Sequence, residues 1–337
     1  ITFVVSLSLL LRRWNALEAE EVMNSYFSRE ALFLLNNLLF MGVLVVCLWG
    51  MLFPIISETV TGQKVTVGPP FYERATAPLF GALLLLMSIA PLSAWRLSTI
   101  QMLSQTLWRP AILSFLIAIV TFLAGVHNWI ALLGFWLIAL NLCVILFEFG
   151  RGVITRVKRL GESLPLAFWR LAGGNRRRYG GYVIHVAMVI MAVGIIGMEL
   201  FQSETQATIP QGGEISLNEY HLRYDALAVF DYPDGRNIAR AVVSVYKDDK
   251  YLGELYPRRD YYYDQEQAVT IPGIRSTWED DLYVILVDWL PVSSEGATFK
   301  VYQNPLVNWL WFGGYIFILG VLVAVWPGKE TKTKQDG

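Results

Sequence analysis

The sequence predicts an α-helical polytopic membrane protein with a small antiparallel β-rich extracytoplasmic domain between its last two helices. Of the 337 residues, 55% are hydrophobic and 16% are charged, a composition typical of a chain with several membrane spans. Long apolar runs recur along the chain, as membrane helices require. Between the last two runs, at about 200–305, the pattern changes to the alternation of polar and apolar residues that indicates strands.

The apolar runs divide the chain into seven segments. The first is too short to span a bilayer, and the chain begins with Ile1 rather than Met. We therefore expect it to be the remainder of a longer helix in an N-terminally truncated chain. The other six predict full spans. Five of them lie in a helical bundle over 1–199, which is followed by a β domain over 200–305, the sixth span as a final helix, and a tail over 327–337. The seven runs lie at about 1–11, 33–56, 77–95, 111–125, 129–149, 181–199 and 306–326.

The basic residues in the connections predict the orientation, because cytoplasmic loops are enriched in Lys and Arg. The segments 12–32, 96–110, 150–180 and 327–337 hold 3, 2, 8 and 3 of these residues, against 2 in 57–76 and none in 126–128. The connections rich in Lys and Arg alternate along the chain with the connections that contain few. We therefore expect the rich connections to be cytoplasmic. The tail is then cytoplasmic, and residues 200–305 are periplasmic or otherwise extracytoplasmic.

Strand patterns fill the segment between the last two helices. Tyr220, Leu222 and Tyr224 alternate with polar residues, and Pro233-Asp234-Gly235 is turn chemistry. The Tyr261-Tyr262-Tyr263 run is either a contact patch or strand packing, and the enrichment of tyrosine in strands favours packing. Further β-rich runs lie at 239–247, 281–289 and 297–303.

Composition also excludes several classes of function. The net charge is −1 and the basic residues form small clusters, so we expect no nucleic-acid partner. Cys47 and Cys143 lie inside apolar runs without a CxxC or CxxCH pattern. They predict core packing residues, and the chain is not itself a c-type cytochrome.

The predicted external loop from Ser57 to Glu73 reads SETVTGQKVTVGPPFYE. It suggests a short strand-like piece, a rigid bend at Gly68-Pro69-Pro70, and two residues of an interfacial aromatic belt, Phe71 and Tyr72. The loop either carries part of a site or is only an anchored connection. The nearby amides of Asn36 and Asn37 are likewise either packing groups or part of a site.

One histidine lies within a predicted span. From Tyr182 to Met198 the chain has no charged residue, and His185 is the only histidine of this run. An imidazole in the hydrocarbon region is a candidate functional group. The alternative is a histidine that is hydrogen-bonded to a neighbouring helix.

Four separated motifs resemble the C-terminal portion of CcmF, a family of membrane haem lyases that mature c-type cytochromes in bacteria. The resemblance covers essentially the whole chain, in order. The motifs are SREALFLLNNLLF (28–40), KVTVGPPFYERATAPL (64–79), RRRYGGYVIHVAMVIMAVGI (176–195) and VYQNPLVNWLWFGGYIFILG (301–320).

The resemblance implies a multi-pass protein of the bacterial inner membrane with a defined cofactor and partners. It implies a b-type haem held by two transmembrane histidines, of which His185 matches the second, and a substrate haem received from the haem chaperone CcmE. The haem would be attached to the CxxCH cysteines of an apocytochrome c that CcmH presents. Arg177 and Arg178, with Arg176, are mainly topology signals that could also meet the haem propionates.

The family's tryptophan-rich haem-handling motif, its two external histidines and its first transmembrane histidine lie upstream of the matched region. His127 and His221 match no family histidine, so we expect both to be surface residues. The sequence therefore identifies no catalytic residue, and the second axial ligand is expected from the missing part. We expect the chain to be inactive by itself. The alternative function is a non-catalytic membrane scaffold or a carrier with a partner-binding β domain.

Overall fold

The computed structural model of the chain describes residues 2–13, 26, 28–92, 100–288 and 296–326. The chain divides into two compact units, one formed by Ile1–Val120 with Ala139–Glu148 and the other by Thr121–Ile138 with Phe149–Gly337. The described helices are α1 (Thr2–Arg12), α2 (Arg29–Thr61), α3 (Pro69–Ile89), α4 (Ile100–Leu123), α5 (Trp129–Leu160), α6 (Leu164–Gly174), α7 (Arg176–Phe201) and α8 (Val307–Val325).

Six of the described helices, namely α2, α3, α4, α5, α7 and α8, are long and apolar enough to cross a membrane. The predicted fold class, a helical membrane protein with a β-rich domain before the last helix, is confirmed. Helices α2 and α5 have 33 and 32 residues, so both continue beyond their apolar runs. The sequence did not predict α6, whose 11 residues are too few to cross a membrane. The end of the predicted 77–95 span, after 92, and the predicted tail lie outside the described residues.

Side-chain caps and glycines set several helix ends. Ser28 accepts a hydrogen bond from the backbone N–H of Ala31 at 3.2 Å, and Asn128 accepts from that of Ile130 at 2.9 Å. These bonds satisfy backbone donors that a helix start leaves unpaired. Helices α2 and α5 are followed by Gly62 and Gly161, whose φ angles of 71° and 65° are left-handed and favour glycine.

The connection between α2 and α3 is shorter than the sequence suggested. Helix α2 continues to Thr61 and α3 begins at Pro69, and the residues between them form no strand. The Gly68-Pro69-Pro70 segment therefore starts a helix instead of a rigid bend, because proline is tolerated in the first turn. The Oγ of Ser57 accepts a hydrogen bond from the backbone of Val65 at 3.0 Å, which ties this loop to the end of α2.

Two antiparallel sheets form the β domain. One has four strands in the order β1-β10-β9-β8, and the other has six, in the order β2-β3-β4-β6-β7 with β5 paired to β4. The predicted turn at 233–235 connects β3 to β4, and Gly235 has a φ of 85°. The strands are β1 (Ser203–Ile209), β2 (Glu214–Leu217), β3 (Tyr220–Tyr232), β4 (Arg236–Lys247), β5 (Lys250–Leu255), β6 (Arg258–Tyr262), β7 (Gln267–Ile271), β8 (Gly273–Ser276), β9 (Asp280–Asp288) and β10 (Ala297–Pro305).

The core of the β domain is built from the alternating side chains of both sheets. Tyr220, Leu222 and Tyr224 of β3 are buried, as the sequence pattern predicted, and they cluster with Leu282 and Phe299 of the other sheet. The rings of Tyr224 and Phe299 lie 5.1 Å apart. Because each strand presents alternate residues to one face, these contacts fix the strand register.

Helices α7 and α8 pack closely through glycines. A side-chain carbon at Gly180 would come within 2.7 Å of the backbone nitrogen of Ala324, and one at Gly194 within 2.7 Å of that of Leu310. Gly313 of α8 meets Ala187 and Met191 of α7 in the same way. Small residues allow two membrane helices to approach at backbone distance. The ends of this helix pair join β1 and β10.

Candidate functional site

His185 lies on the side of α7 that faces away from α8. The contacts with α8 come from Gly180, Ala187 and Gly194, and at 100° per residue these positions lie on the other side of the helix. Arg178 and Tyr182 share the stripe of His185. Tyr182 is buried, and its hydroxyl accepts a hydrogen bond from the Nε of Arg178 at 3.0 Å.

The imidazole of His185 is partly buried. Its Nδ1 atom is fully buried and has no hydrogen-bond partner among the described residues. Leaving such an atom without a partner costs about 1–3 kcal/mol of folding free energy. A histidine that serves only in packing would make a hydrogen bond to a neighbouring helix, and the described residues make no such bond to this atom. A neutral imidazole is also a usual axial ligand of haem iron. The residues present therefore fit one half of a bis-histidine haem site.

Arg177 and Arg178 are exposed near the start of α7. Asn175 caps this helix by accepting a hydrogen bond from the backbone of Arg178. The Arg178 guanidinium lies 5.6 Å from the centre of the Tyr182 ring, and seven residues separate Arg178 from His185, about 10 Å along the axis. An arginine at this spacing and on the same stripe suits the propionates of a haem held at His185. At 100° per residue, Arg177 lies about 80° around the axis of α7 from His185.

The other two histidines lie apart from this stripe. His127 is exposed at the connection before α5, with its ring 5.1 Å from that of Phe122. His221 on β3 is partly buried, and its Nδ1 lies 2.9 Å from the Oγ of Ser216. The described residues contain no group of three or more His, Cys, Asp or Glu side chains that could hold a metal ion.

The cysteines and amides of the membrane helices differ in exposure. Cys143 is buried as predicted, but Cys47 is exposed on α2, so its expected core role is wrong. The exposure of Cys47 is shared by its helix, because most large apolar side chains of α2 are also exposed. Asn36 is partly buried and Asn37 is exposed on the same helix.

The aromatic residues of the connection between α2 and α3 and those of the Tyr261-Tyr262-Tyr263 run differ in exposure. Tyr72 is partly buried and its ring covers Gly50 of α2, where any side chain would collide with it. The ring of Tyr72 thus packs against α2, and its role in an aromatic belt stays a prediction. In the β domain, Tyr263 is 51% exposed while its hydroxyl donates to Asp231 at 3.0 Å, and Arg236 lies over the ring of Tyr262 at 5.7 Å.

A buried polar network at the base of the β domain was not predicted. The hydroxyl of Tyr220 donates to Asp280 at 2.9 Å, and the amide of Gln303 donates to the other oxygen of Asp280. Burial and this bond to Asp280 raise the pKa of Tyr220 to about 12. Consecutive acids at Asp280 and Asp281, directly before the largely apolar run 282–287 of β9, were the available sequence signal.

The same network reaches the start of α8. Asn308 donates to the side chain of Asp281 at 2.9 Å and to the backbone oxygen of Thr277. Burial raises the pKa of Asp281. Trp309 donates through its indole nitrogen to the backbone oxygen of Trp278 at 3.1 Å. These bonds tie the loop before β9 to the first turn of the helix.

The chain is similar to several known cytochrome c-type biogenesis proteins. A family model described as the CcmF C-terminal beta-sandwich matches residues 200–305. The cytochrome c-type biogenesis protein CcmF of Pseudomonas fluorescens is 28% identical over 327 residues, which cover 96% of this chain and 47% of that protein. The cytochrome c-type biogenesis protein CycK of Rhizobium meliloti is 26% identical, over 88% of this chain and 43% of its own length.

A solved structure described as the cytochrome c haem lyase CcmF has the same fold. It aligns with a TM-score of 0.69 and 23% identity, over 90% of this chain and 46% of that one. The chain thus spans just under half the length of the relatives it matches. The family model matches the β domain, the relatives align along nearly the whole chain and the fold is shared, so the chain is similar throughout to CcmF-type cytochrome c-type biogenesis proteins.

Proposed function

We propose that the chain acts as the C-terminal part of a membrane haem lyase in c-type cytochrome maturation. In this proposal His185 is one axial ligand of a b-type haem within the membrane. The observation that carries it is the buried Nδ1 of His185, which has no partner among the described residues and lies in a stretch of α7, from Tyr182 to Met198, that has no charged residue.

The second axial ligand would come from the part of the family's proteins that this chain does not span. A haem with two imidazole ligands supplies one-electron transfer and leaves no open position for oxygen chemistry, which suits reduction of the incoming substrate haem. His185 would hold and orient the group, and Arg178, which lies on the same stripe, would meet a propionate. Catalytic residues for thioether formation are not assigned to this chain.

The external surfaces would receive the partners. In this proposal the β domain and the connection between α2 and α3 lie on the periplasmic side, where haem delivery and the apocytochrome must meet. The partners are the haem chaperone CcmE, the CcmH-type subunit and the apocytochrome c. Tyr261 and Tyr263 offer an exposed aromatic surface, a type of residue that is enriched at protein interfaces.

The proposal is tested by cytochrome c maturation in cells. The chain would be co-expressed with the N-terminal half of a relative in a strain that lacks its own lyase, and covalently bound haem would be measured in a reporter cytochrome. We expect His185→Ala to reduce the yield at least about tenfold, since loss of an axial ligand removes the redox centre. His127→Ala should leave the yield unchanged, and equal yields of the two variants would contradict the role of His185.

Docking is tested separately by site-specific photocrosslinking in the same cells. A crosslinker at Tyr263, which is exposed, and one at Lys64 in the connection after α2 should capture CcmE or CcmH. Tyr72 is unsuitable because its ring packs on Gly50. A crosslinker at Phe115, 60% exposed in the apolar α4, serves as the control. If Tyr263 and Lys64 capture no more partner than Phe115, the docking proposal is wrong.

A further inference from the structure

An aromatic cleft lies where the β domain meets the first half of α8. It has a volume of about 320 Å³ and is lined by Ser276, Thr277, Trp278, Asn308, Trp311, Phe312 and Tyr315. Trp278 contributes from the loop before β9, and its ring meets that of Phe312 edge to face at 5.5 Å. Trp278, Trp311 and Tyr315 are 62%, 65% and 67% exposed, so their faces are open to whatever surrounds the protein.

The position of the cleft defines its surroundings. Helix α8 has 19 residues and is therefore about 28 Å long, just enough for the hydrocarbon core of a bilayer. Its first turn must then lie at the membrane surface, level with the lipid headgroups. Trp311 and Tyr315 are one turn apart on the same side of α8, so the cleft extends from the headgroup layer towards the acyl chains. Lipid is thus the molecule that this cleft faces.

The polar end of the cleft is suited to a cation. The lining residues include no Lys or Arg, and behind Asn308 lies the buried carboxylate of Asp281, 2.9 Å from the Asn308 amide nitrogen. The nearby Lys247 is already paired with Glu219 and Glu279, at 3.2 Å and 3.3 Å. Aromatic faces attract ammonium groups, most strongly where water is excluded. The four aromatic rings of the lining, with this carboxylate behind them, favour an ammonium group over a purely anionic headgroup.

We propose that this cleft binds the ammonium headgroup of a zwitterionic phospholipid such as phosphatidylethanolamine, with its acyl chain along Phe312 and Tyr315. The bound lipid holds the β domain against the bilayer through Trp278. The site uses no residue of the proposed haem site and does not depend on it.

The test is native mass spectrometry of the purified full chain in detergent. The chain is mixed with phosphatidylethanolamine or with phosphatidylglycerol that carries the same acyl chains. We expect one retained phosphatidylethanolamine, with a preference of about fivefold to tenfold over phosphatidylglycerol, the size expected for one partly desolvated cation–π contact. Trp278→Ala should lower this retention by a similar factor, and Trp278→Phe should lower it less.

Two controls separate this site from general lipid contact. Trp129→Ala removes another exposed tryptophan at the start of a span, 71% exposed, and should leave retention unchanged. Asp281→Asn should reduce the preference for phosphatidylethanolamine while the chain still retains lipid. Equal retention of both lipids by the unmodified chain would overturn the assignment of the headgroup. Equal effects of Trp278→Ala and Trp129→Ala would overturn the site itself.

Discussion

His185 and Asp281 are both partly or fully buried polar side chains, but their hydrogen bonding differs. Asp281 accepts a hydrogen bond from Asn308, whereas the buried Nδ1 of His185 has no partner in the regions that the structure covers. A satisfied buried acid is explained by the structure around it. An unsatisfied buried imidazole needs a further group, which is why the functional proposal is built on His185.

Asp281 gives a prediction about pH. Burial raises the pKa of Asp281 above its ordinary value of 3.8, so the folded protein holds this proton more tightly than the unfolded chain does. The resulting stabilisation is complete below pH 3.8 and is lost as the pH rises through the raised value. Asn cannot titrate, so Asp281→Asn should lose less stability than the unmodified protein as the pH rises above 3.8. Thermal unfolding midpoints measure this, and parallel pH profiles would contradict it.

At the scale of elements, the glycines of α7 and α8 follow a spacing of seven. Gly180, Ala187 and Gly194 of α7 contact Ala324, Gly313 and Leu310 of α8, and Gly313 and Gly320 of α8 are likewise seven residues apart. Two turns of an α-helix are close to seven residues, so these small residues form one continuous stripe on each helix. This spacing of small residues is present in the sequence, but neither the distribution of charge nor the alternation of strand residues reveals it.

Adjacent glycines provide a matched pair for testing this packing. A Cβ atom added at Gly313 would lie 2.8 Å from the backbone oxygen of Ala187, whereas one added at Gly314 would meet nothing within 4 Å. Gly313→Val should destabilise the helix pair by about 1–3 kcal/mol through overpacking, and Gly314→Val should have little effect. The readout is the thermal midpoint of the purified protein in detergent. A larger loss in Gly314→Val would show that the close packing is wrong.

Sequence reasoning predicted the elements unequally. The six spanning helices and the main strands follow from runs of apolar residues and from alternation, which are local signals. Helix α6 was missed because its 11 residues lie among basic residues that indicated a loop. The strand-like KVTV segment after Gly62 forms no strand because α2 and α3 leave it no partner strand within the described chain.

For the whole molecule, six described helices that are long and apolar enough to cross a membrane, together with the similarity to CcmF proteins, support a multi-pass protein of the bacterial inner membrane. Its proposed orientation rests on the distribution of Lys and Arg. The candidate haem residue was predictable because one histidine interrupts a long apolar run. The polar network and the aromatic cleft were not, because they join residues of β3, β9, β10 and α8 that are distant in sequence.

The orientation predicts which side of the membrane each soluble part occupies. A reporter that is active only in the periplasm should be active when inserted after Arg240 and inactive when fused after Gly337. The physical reason is the excess of basic residues in the connections on the side of the tail. A cytoplasmic reporter at the same two positions is the control. Activity of one reporter at both positions would contradict the topology and the proposed depth of His185.

The absorption spectrum of the haem complex tests whether His185 is a haem ligand. The chain would be co-expressed with the N-terminal half of a relative and purified from membranes, and reduced-minus-oxidised spectra would be recorded. The account predicts a low-spin b-type signal that His185→Ala removes or strongly weakens, because one axial position then lacks its imidazole, while His221→Ala retains it. An unchanged signal in His185→Ala, at equal protein recovery, would contradict the account and leave His185 as a packing residue.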